Sequence, residues 1–148
     1  MIIPGYFIGD APYFFVRVRL VQFEWEVWLL ADTGAARTTL LDRDVGQLGI
    51  PATLLEPASL PVVGVGGSVR TLMLRDVELT LASDEGDVGL RQNVWVVQHE
   101  LDRLPPEEVA RMMRLPSVMG WDVINRYNFV CHYQAGLVYL EGESKEMA

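Results

Sequence analysis

The feature that most constrains this chain is the apolar run Leu-Leu-Ala at residues 29–31, which ends at Asp32-Thr33-Gly34-Ala35. A continuous apolar run indicates a buried strand, so Asp32 stands at the end of a rigid element. Gly34 allows a sharp turn, and the Thr33 hydroxyl can both donate and accept a hydrogen bond. Ala35 leaves room for another group to approach. The sequence therefore places one carboxylate at a strand end, in a turn with few side chains.

Two predicted strands precede this carboxylate and form a hairpin. Residues 13–20 are rich in aromatic and β-branched side chains, which favour strands. Residues 23–31 first alternate apolar and acidic side chains and then become continuously apolar, which predicts a strand exposed at its start and buried at its end. Val21 and Gln22 are the predicted connection. Because this connection contains neither Gly nor Asn, the sequence leaves the register of the hairpin open.

Further segments predict that the chain is mainly β. Strand patterns occupy residues 38–41, 71–81 (as two strands or one bent strand), 93–97, 129–133 and 137–140. Residues 83–87 predict a polar turn. Residues 60–70 place two apolar arms around a glycine cluster, which predicts a hairpin with a tip that carries few side chains.

Two helices are predicted in the middle of the chain. Asp42 is predicted to cap a helix that runs to about Leu48 and ends at Gly49. The clearest helix pattern spans residues 104–114, with prolines at its start, acids in its first turn and arginines in its last turn. The apolar face of this second helix predicts packing against the core.

An apolar strand that ends in a glycine occurs again near the end of the chain. Val118 and Met119 are predicted to end a buried strand at Gly120. Asp122 is then predicted to cap a short helix.

Composition sets limits on the partners and the location of the chain. Its 148 residues, half of them apolar, predict one globular domain over residues 1–148, with a frayed charged tail at residues 141–148. The net charge of -8 argues against nucleic acid or an anionic membrane as a partner. The sequence shows neither a long apolar span nor a secretory signal pattern, so we expect a cytoplasmic protein.

The chain contains one cysteine and two histidines. Cys131 is predicted to be a buried apolar side chain, because free cysteine is among the most buried residue types. His99 and His132 are far apart in sequence and neither falls in a metal-ligand spacing, so both are predicted to be structural or surface residues. We therefore expect no metal and no cofactor.

Three motifs now stand in one order along the chain. They are Asp32-Thr33-Gly34-Ala35, the glycine hairpin at residues 64–67, and Val118-Met119-Gly120 followed by Trp121-Asp122. In this order they resemble the retropepsin-like aspartic proteases of the cellular and prokaryotic branch, over roughly residues 13–140. Residues 83–116 look longer than the minimal plan of that family, which leaves the substrate class open.

The resemblance implies a mainly β, closed acid-protease barrel with a short C-terminal helix and one extra helix near residues 105–114. It implies that Asp32 is the catalytic carboxylate, braced by Thr33, Gly34 and Ala35. It implies two further sets of residues, which are a flap that closes over substrate (Val65, Gly66, Gly67) and a third-motif support (Val118, Met119, Gly120, Asp122). An ordinary glycine hairpin is the alternative to the flap.

Peptide hydrolysis by this chemistry needs two carboxylates near one water, one ionised as a base and one protonated as an acid. The chain holds a single Asp-Thr-Gly and no second one. The active species is therefore predicted to be a homodimer in which each protomer gives one Asp32. We expect an aspartic endopeptidase that acts on a peptide or protein substrate, with the N-terminal strands and residues 137–140 as candidates for the dimer contact.

Two other interpretations stay open. The chain could be a non-catalytic dimerisation or peptide-binding module that keeps the fold and the motif, because fold does not guarantee chemistry. It could also be a generic β-barrel binder with an accidental Asp-Thr-Gly. The intact Asp32, Thr33 and Gly34 favour the enzyme.

Overall fold

The structure is a computed structural model that describes residues 1–58 and 69–144. These residues form strands and short helices in the following order. The strands are β1 (Ile2–Pro4), β2 (Tyr6–Ile8), β3 (Ala11–Leu20), β4 (Phe23–Ala31), β5 (Thr39–Leu40), β6 (Glu56–Pro57), β7 (Val69–Ser83), β8 (Gly86–His99), β9 (Val118–Met119), β10 (Asn128–His132) and β11 (Leu137–Glu141). The α-helices are α1 (Asp42–Leu48), α2 (Pro106–Met112) and α3 (Trp121–Ile124), and 3-10 turns lie at Ala52–Leu54, Leu101–Arg103 and Tyr133–Ala135.

The hairpin of β3 and β4 confirms the strands predicted before Asp32. Its register runs from Tyr13 opposite Leu30 to Leu20 opposite Phe23. The two-residue turn fixes this register, and Val21 enters the left-handed region with φ 56°. Side chains alternate between the core and solvent along both strands, as the apolar and acidic pattern predicted.

Most strands belong to one sheet with the order β2-β3-β4-β9-β5-β8-β7-β6. Strand β7 also pairs with β3. The strand pairings therefore lead from β3 through β4, β9, β5, β8 and β7 and back to β3. A smaller sheet has the order β1-β11-β10. The prediction of a mainly β fold is therefore confirmed. The segment predicted as two strands or one bent strand is one long strand, β7, with an irregularity between Leu74 and Val77.

The hydrophobic core lies inside the strands β3, β4, β9, β5, β8 and β7, whose pairings lead back to β3. Its fully buried side chains come mainly from the inward positions of the long strands and from α3. They include Phe14, Val16, Leu29, Leu74, Leu79, Val96, Met119 and Ile124. Burying each of these apolar side chains stabilises the fold by about 1.5–3 kcal/mol, so the core provides a rigid base for β4 and β9.

Helix α1 forms where predicted, but its predicted cap is wrong. Leu41 is the N-cap, and Asp42 is the first helical residue. The buried carboxylate of Asp42 instead accepts a hydrogen bond from the His99 backbone N–H at 2.8 Å, and it lies 2.5 Å from the His99 Nδ1. This contact with β8 holds the Asp42 carboxylate in the interior, where the His99 side chain is buried beside it. Gly49, with φ 63°, ends the helix as predicted.

Helix α2 confirms the extra helix, although it is shorter than residues 104–114. Its first turn carries Glu107 and Glu108, and Met112 is buried against the rest of the protein. Among the helices that the structure describes, none combines the length and the apolar character that a membrane crossing requires.

Two predictions near the C-terminus are wrong. Cys131, on the edge strand β10, is exposed instead of buried. Glu141, the first residue of the predicted frayed tail, is paired within β11, and the Gly142 N–H donates to the Met1 carbonyl at 3.0 Å. The described chain continues to Ser144, and residues 145–148 lie outside the described residues.

Candidate active site

Asp32 follows the last residue of β4 and is held by its backbone. Strand β9 runs parallel to β4, with Val118 beside Leu30 and Met119 beside Ala31. The Asp32 N–H continues this pairing by donating to the Met119 carbonyl at 3.0 Å. The side chain of Asp32 is only partly buried. The first and third motifs of the sequence are therefore brought together, and a carboxylate stands at their junction.

The residues after Asp32 form a tight turn around its carboxylate. The Gly34 N–H donates to Asp32 Oδ1 at 2.9 Å, and the Ala35 N–H donates to the Asp32 carbonyl at 3.1 Å. A Cβ atom at Gly34 would lie 3.2 Å from Asp32 Oδ1, which is a tight contact. Thr33 and Gly34 are exposed in this single chain. The turn orients one oxygen of Asp32 and leaves the other without a hydrogen bond from the described residues.

Gly120 allows the loop after Asp32 to cross the third motif at contact distance. A Cβ atom at Gly120 would lie 2.6 Å from the backbone N and C of Arg37. The Trp121 N–H donates to the Ala35 carbonyl at 2.9 Å, just beyond this crossing. Only a residue without a side chain fits such an approach, which is why the apolar pair of β9 must be followed by glycine.

Asp122 was predicted to cap α3, and that prediction is wrong. Gly120 is the N-cap, and the Asp122 carboxylate points to the loop after Asp32. It accepts hydrogen bonds from the Thr38 N–H at 2.9 Å and from the Thr38 hydroxyl at 2.6 Å. It also accepts one from Gln92 Nε2 at 3.0 Å. Thr38 is 1% exposed, so this carboxylate anchors the far end of the loop in the interior.

We expect Asp122→Asn to lower the free energy of unfolding by about 1–3 kcal/mol, because an amide nitrogen would then face the donors of Thr38 or Gln92. Urea denaturation followed by circular dichroism measures this change. Asp102→Asn is the matched control, since Asp102 is exposed on a 3-10 turn. If both variants unfold at the same urea concentration, Asp122 does not anchor the loop.

Several residues of this site lie in no sequence motif that predicts them. Thr38 and Gln92 meet Asp122 from segments that are distant in sequence, and no spacing rule connects them. Ser117 is another such residue. Its buried hydroxyl joins Asp44 of α1 to the Leu41 N–H, and its carbonyl accepts from the Leu30 N–H at 2.9 Å. The predicted flap residues Val65, Gly66 and Gly67 lie outside the described residues.

The architecture that carries this junction is found in solved structures of other proteins. The chain has the fold of the retropepsin-like aspartic proteases, since a retropepsin-like aspartic protease from Rickettsia conorii superposes with a TM-score of 0.55 and 18% identity. That alignment covers 95% of this chain and 88% of the other. No family model matches the sequence, and no curated protein matches it.

Two further solved structures share the fold. The EIAV protease, complexed with the inhibitor HBY-793, has a TM-score of 0.50 and 17% identity, covering 81% of this chain and 90% of its own. The retroviral protease-like domain of Ddi1 from Leishmania major has a TM-score of 0.50 and 10% identity, covering 92% of this chain and 98% of its own. The fold predicted from three short motifs is therefore confirmed at sequence identities that reveal little by themselves.

Proposed function

We propose that this chain is an aspartic endopeptidase that works as a homodimer, with one Asp32 from each protomer. The observation that carries the proposal is the position of Asp32. It stands at the end of β4, its N–H donates to the Met119 carbonyl, and the loop that follows it crosses Gly120 at contact distance. The retropepsin fold of the chain supports the same assignment.

In the proposed reaction the two Asp32 carboxylates share one proton and hold a water between them. The ionised carboxylate takes a proton from the water, which attacks the peptide carbonyl carbon. The protonated carboxyl gives its proton to the carbonyl oxygen, and the resulting tetrahedral intermediate collapses with proton transfer to the leaving amine. Thr33, Gly34 and Ala35 keep each carboxylate in position. The third motif supports the turn and the loop that follows it, through Val118, Met119, Gly120 and Asp122.

The exposed surface around Asp32 supports a second copy. Thr33, Gly34 and Ala36 are exposed, and Trp121, which is bonded to the same turn, is 46% exposed. Hydrolysis by a carboxylate pair requires a site from which bulk water is largely excluded. A second protomer packed against this turn would cover these residues and deliver the second carboxylate.

The pairing of the terminal strands limits where a second protomer could add a strand. Strand β11 lies between β1 and β10, so both of its backbone edges are already paired within the chain. Within this smaller sheet, a partner could add strand pairing at β1 or at β10, and it could use the exposed side chain of Leu137 at the start of β11. We keep Val65, Gly66 and Gly67 as the proposed flap, and a peptide or protein in the cytoplasm as the proposed substrate.

Cleavage of a diverse peptide mixture by the purified chain, between about pH 3 and about pH 8, tests the proposal. The activity per protomer is expected to rise with protein concentration until the dimer is saturated, because a single chain holds one Asp-Thr-Gly. Sedimentation velocity at the same concentrations should show the dimer forming over the same range.

Constant activity per protomer in a protein that remains monomeric would contradict the dimeric site. A dimer without cleavage under all these conditions would instead support the non-catalytic module, in which the fold serves dimerisation or peptide binding.

A further inference from the structure

Arg37 lies five residues after Asp32, in the loop that follows the proposed catalytic turn. Its guanidinium carbon lies 4.6 Å from the centroid of the Trp95 ring on β8. On β8, Trp95 is paired with Thr39 of β5 on one side and with Met73 of β7 on the other. The indole therefore belongs to a strand that has a paired neighbour on both sides. Stacking on an aromatic face fixes the plane of a guanidinium, and its N–H donors then point outward along its edge.

The charge of Arg37 is not neutralised by the described part of the chain. Six other arginines form ion pairs with carboxylates, namely Arg17, Arg43, Arg75, Arg91, Arg103 and Arg111. The arginines without such a pair are exposed, except for Arg37, which is partly buried. In a chain with a net charge of -8, a partly buried arginine without a carboxylate partner is well suited to receive one from a ligand.

The backbone contacts place Arg37 next to Asp32. The Asp32 N–H is bonded to the carbonyl of Met119, and the next residue, Gly120, touches the Arg37 backbone. Asp32 and Arg37 therefore contact two consecutive residues of the third motif. An extended peptide advances about 3.3 Å per residue, so a side chain a few residues from the scissile bond can reach the surroundings of Arg37.

We propose that Arg37 makes this protein select peptides that carry an acidic side chain within about four residues of the scissile bond. This inference rests on the proposed function and names its substrate class. The planar guanidinium can bind a carboxylate through two parallel N–H donors, and Trp95 holds it ready, so little side-chain freedom is lost on binding. An amide of the same shape on the peptide would leave the charge of Arg37 without an anionic partner.

The experiment uses pairs of peptides that differ only by Glu or Gln at one position near the cleavage site. At about pH 6, where the peptide carboxylate is ionised, kcat/KM is expected to favour Glu about tenfold at one or more positions. At about pH 3.5 the preference should largely disappear, since the ordinary pKa of a peptide Glu is about 4.3. Arg37→Gln should abolish the preference at about pH 6, and Arg37→Glu should reverse it in favour of Lys peptides.

Arg19→Gln is the matched control, because it removes the same charge from an arginine that also has no ion pair within the described residues. Arg19 is exposed and lies opposite Glu24 near the start of β4. Asp32 follows the other end of that strand, which at nine residues is about 30 Å long. The control should keep the full preference for Glu. Thermal unfolding of each variant checks that Arg37→Gln remains folded.

Binding of the same peptides to Asp32→Asn protein, measured by fluorescence anisotropy, separates this inference from the proposed function. If the unmodified chain cleaves no peptide but Asp32→Asn binds Glu peptides more tightly, and Arg37→Gln removes that difference, then the inference holds and the protease assignment fails. Equal treatment of Glu and Gln peptides by the unmodified chain would overturn the inference. So would the absence of peptide binding, or an Arg37→Gln variant that only weakens the dimer.

Discussion

Replacement of Asp32 by Asn is expected to reduce kcat/KM for peptide cleavage at least about 1,000-fold while leaving the fold intact. The amide has almost the shape of the carboxylate, so its oxygen can still accept the Gly34 N–H that now bonds Asp32 Oδ1 at 2.9 Å. An amide cannot take a proton from water, so neither protomer could provide the base. Circular dichroism and sedimentation should therefore match the unmodified chain, and only turnover should be lost.

Mixing the two proteins tests whether the site is shared. After subunit exchange in an equimolar mixture, about one quarter of the dimers should contain two Asp32 residues, if both chains associate equally well. An excess of Asp32→Asn should therefore inhibit the unmodified chain. Asp102→Asn, an exposed change of the same chemistry, should not inhibit. Cleavage that survives in pure Asp32→Asn would remove Asp32 from the proposed mechanism.

Replacement of Gly120 by Ala is expected to lower the free energy of unfolding by about 3 kcal/mol or more, which is the upper range for overpacking. The added methyl group would lie 2.6 Å from two backbone atoms of Arg37, and backbone cannot move aside as a flexible side chain can. The φ of Gly120 is -96°, which alanine adopts without strain, so the cost is steric rather than conformational. Peptide cleavage should fall as well, because the displaced loop begins at Asp32.

Gly46→Ala is the control for this substitution. Gly46 lies within α1 with no atom near its added Cβ, and alanine there should be neutral or stabilising by up to about 1 kcal/mol. Urea denaturation of both variants gives the comparison. If Gly120→Ala is as stable as the unmodified chain, then the loop and the third motif are not packed as closely as the backbone distances indicate.

Local patterns predicted most of the secondary structure that the described residues adopt. The alternation of residues 23–27 and the apolar run to Ala31 predicted β4, because a strand with one buried face requires that pattern. Gly49 ended α1 as predicted, since the left-handed φ of a helix terminus favours glycine. These predictions succeeded because each depends on residues that are close together in sequence.

The predictions that failed depended on partners that are distant in sequence. Asp42 and Asp122 each stand at the start of a helix, where local rules assign a capping role. In the folded chain Asp42 bonds to His99, and Asp122 bonds to Thr38 and Gln92. A buried carboxylate must satisfy its oxygens with the donors that the fold brings close, and sequence distance gives no sign of which donors these are.

The sequence by itself determined that the chain is mainly β and that one carboxylate follows a buried strand, since both depend on short-range periodicity and on the turn chemistry of Asp32-Thr33-Gly34. It also determined that glycine follows Met119. The tertiary structure alone decided why that glycine is needed, because the crossing of Arg37 over Gly120 joins segments more than eighty residues apart. It alone placed Arg37 on Trp95, since that contact arises only when β5 and β8 pair side by side.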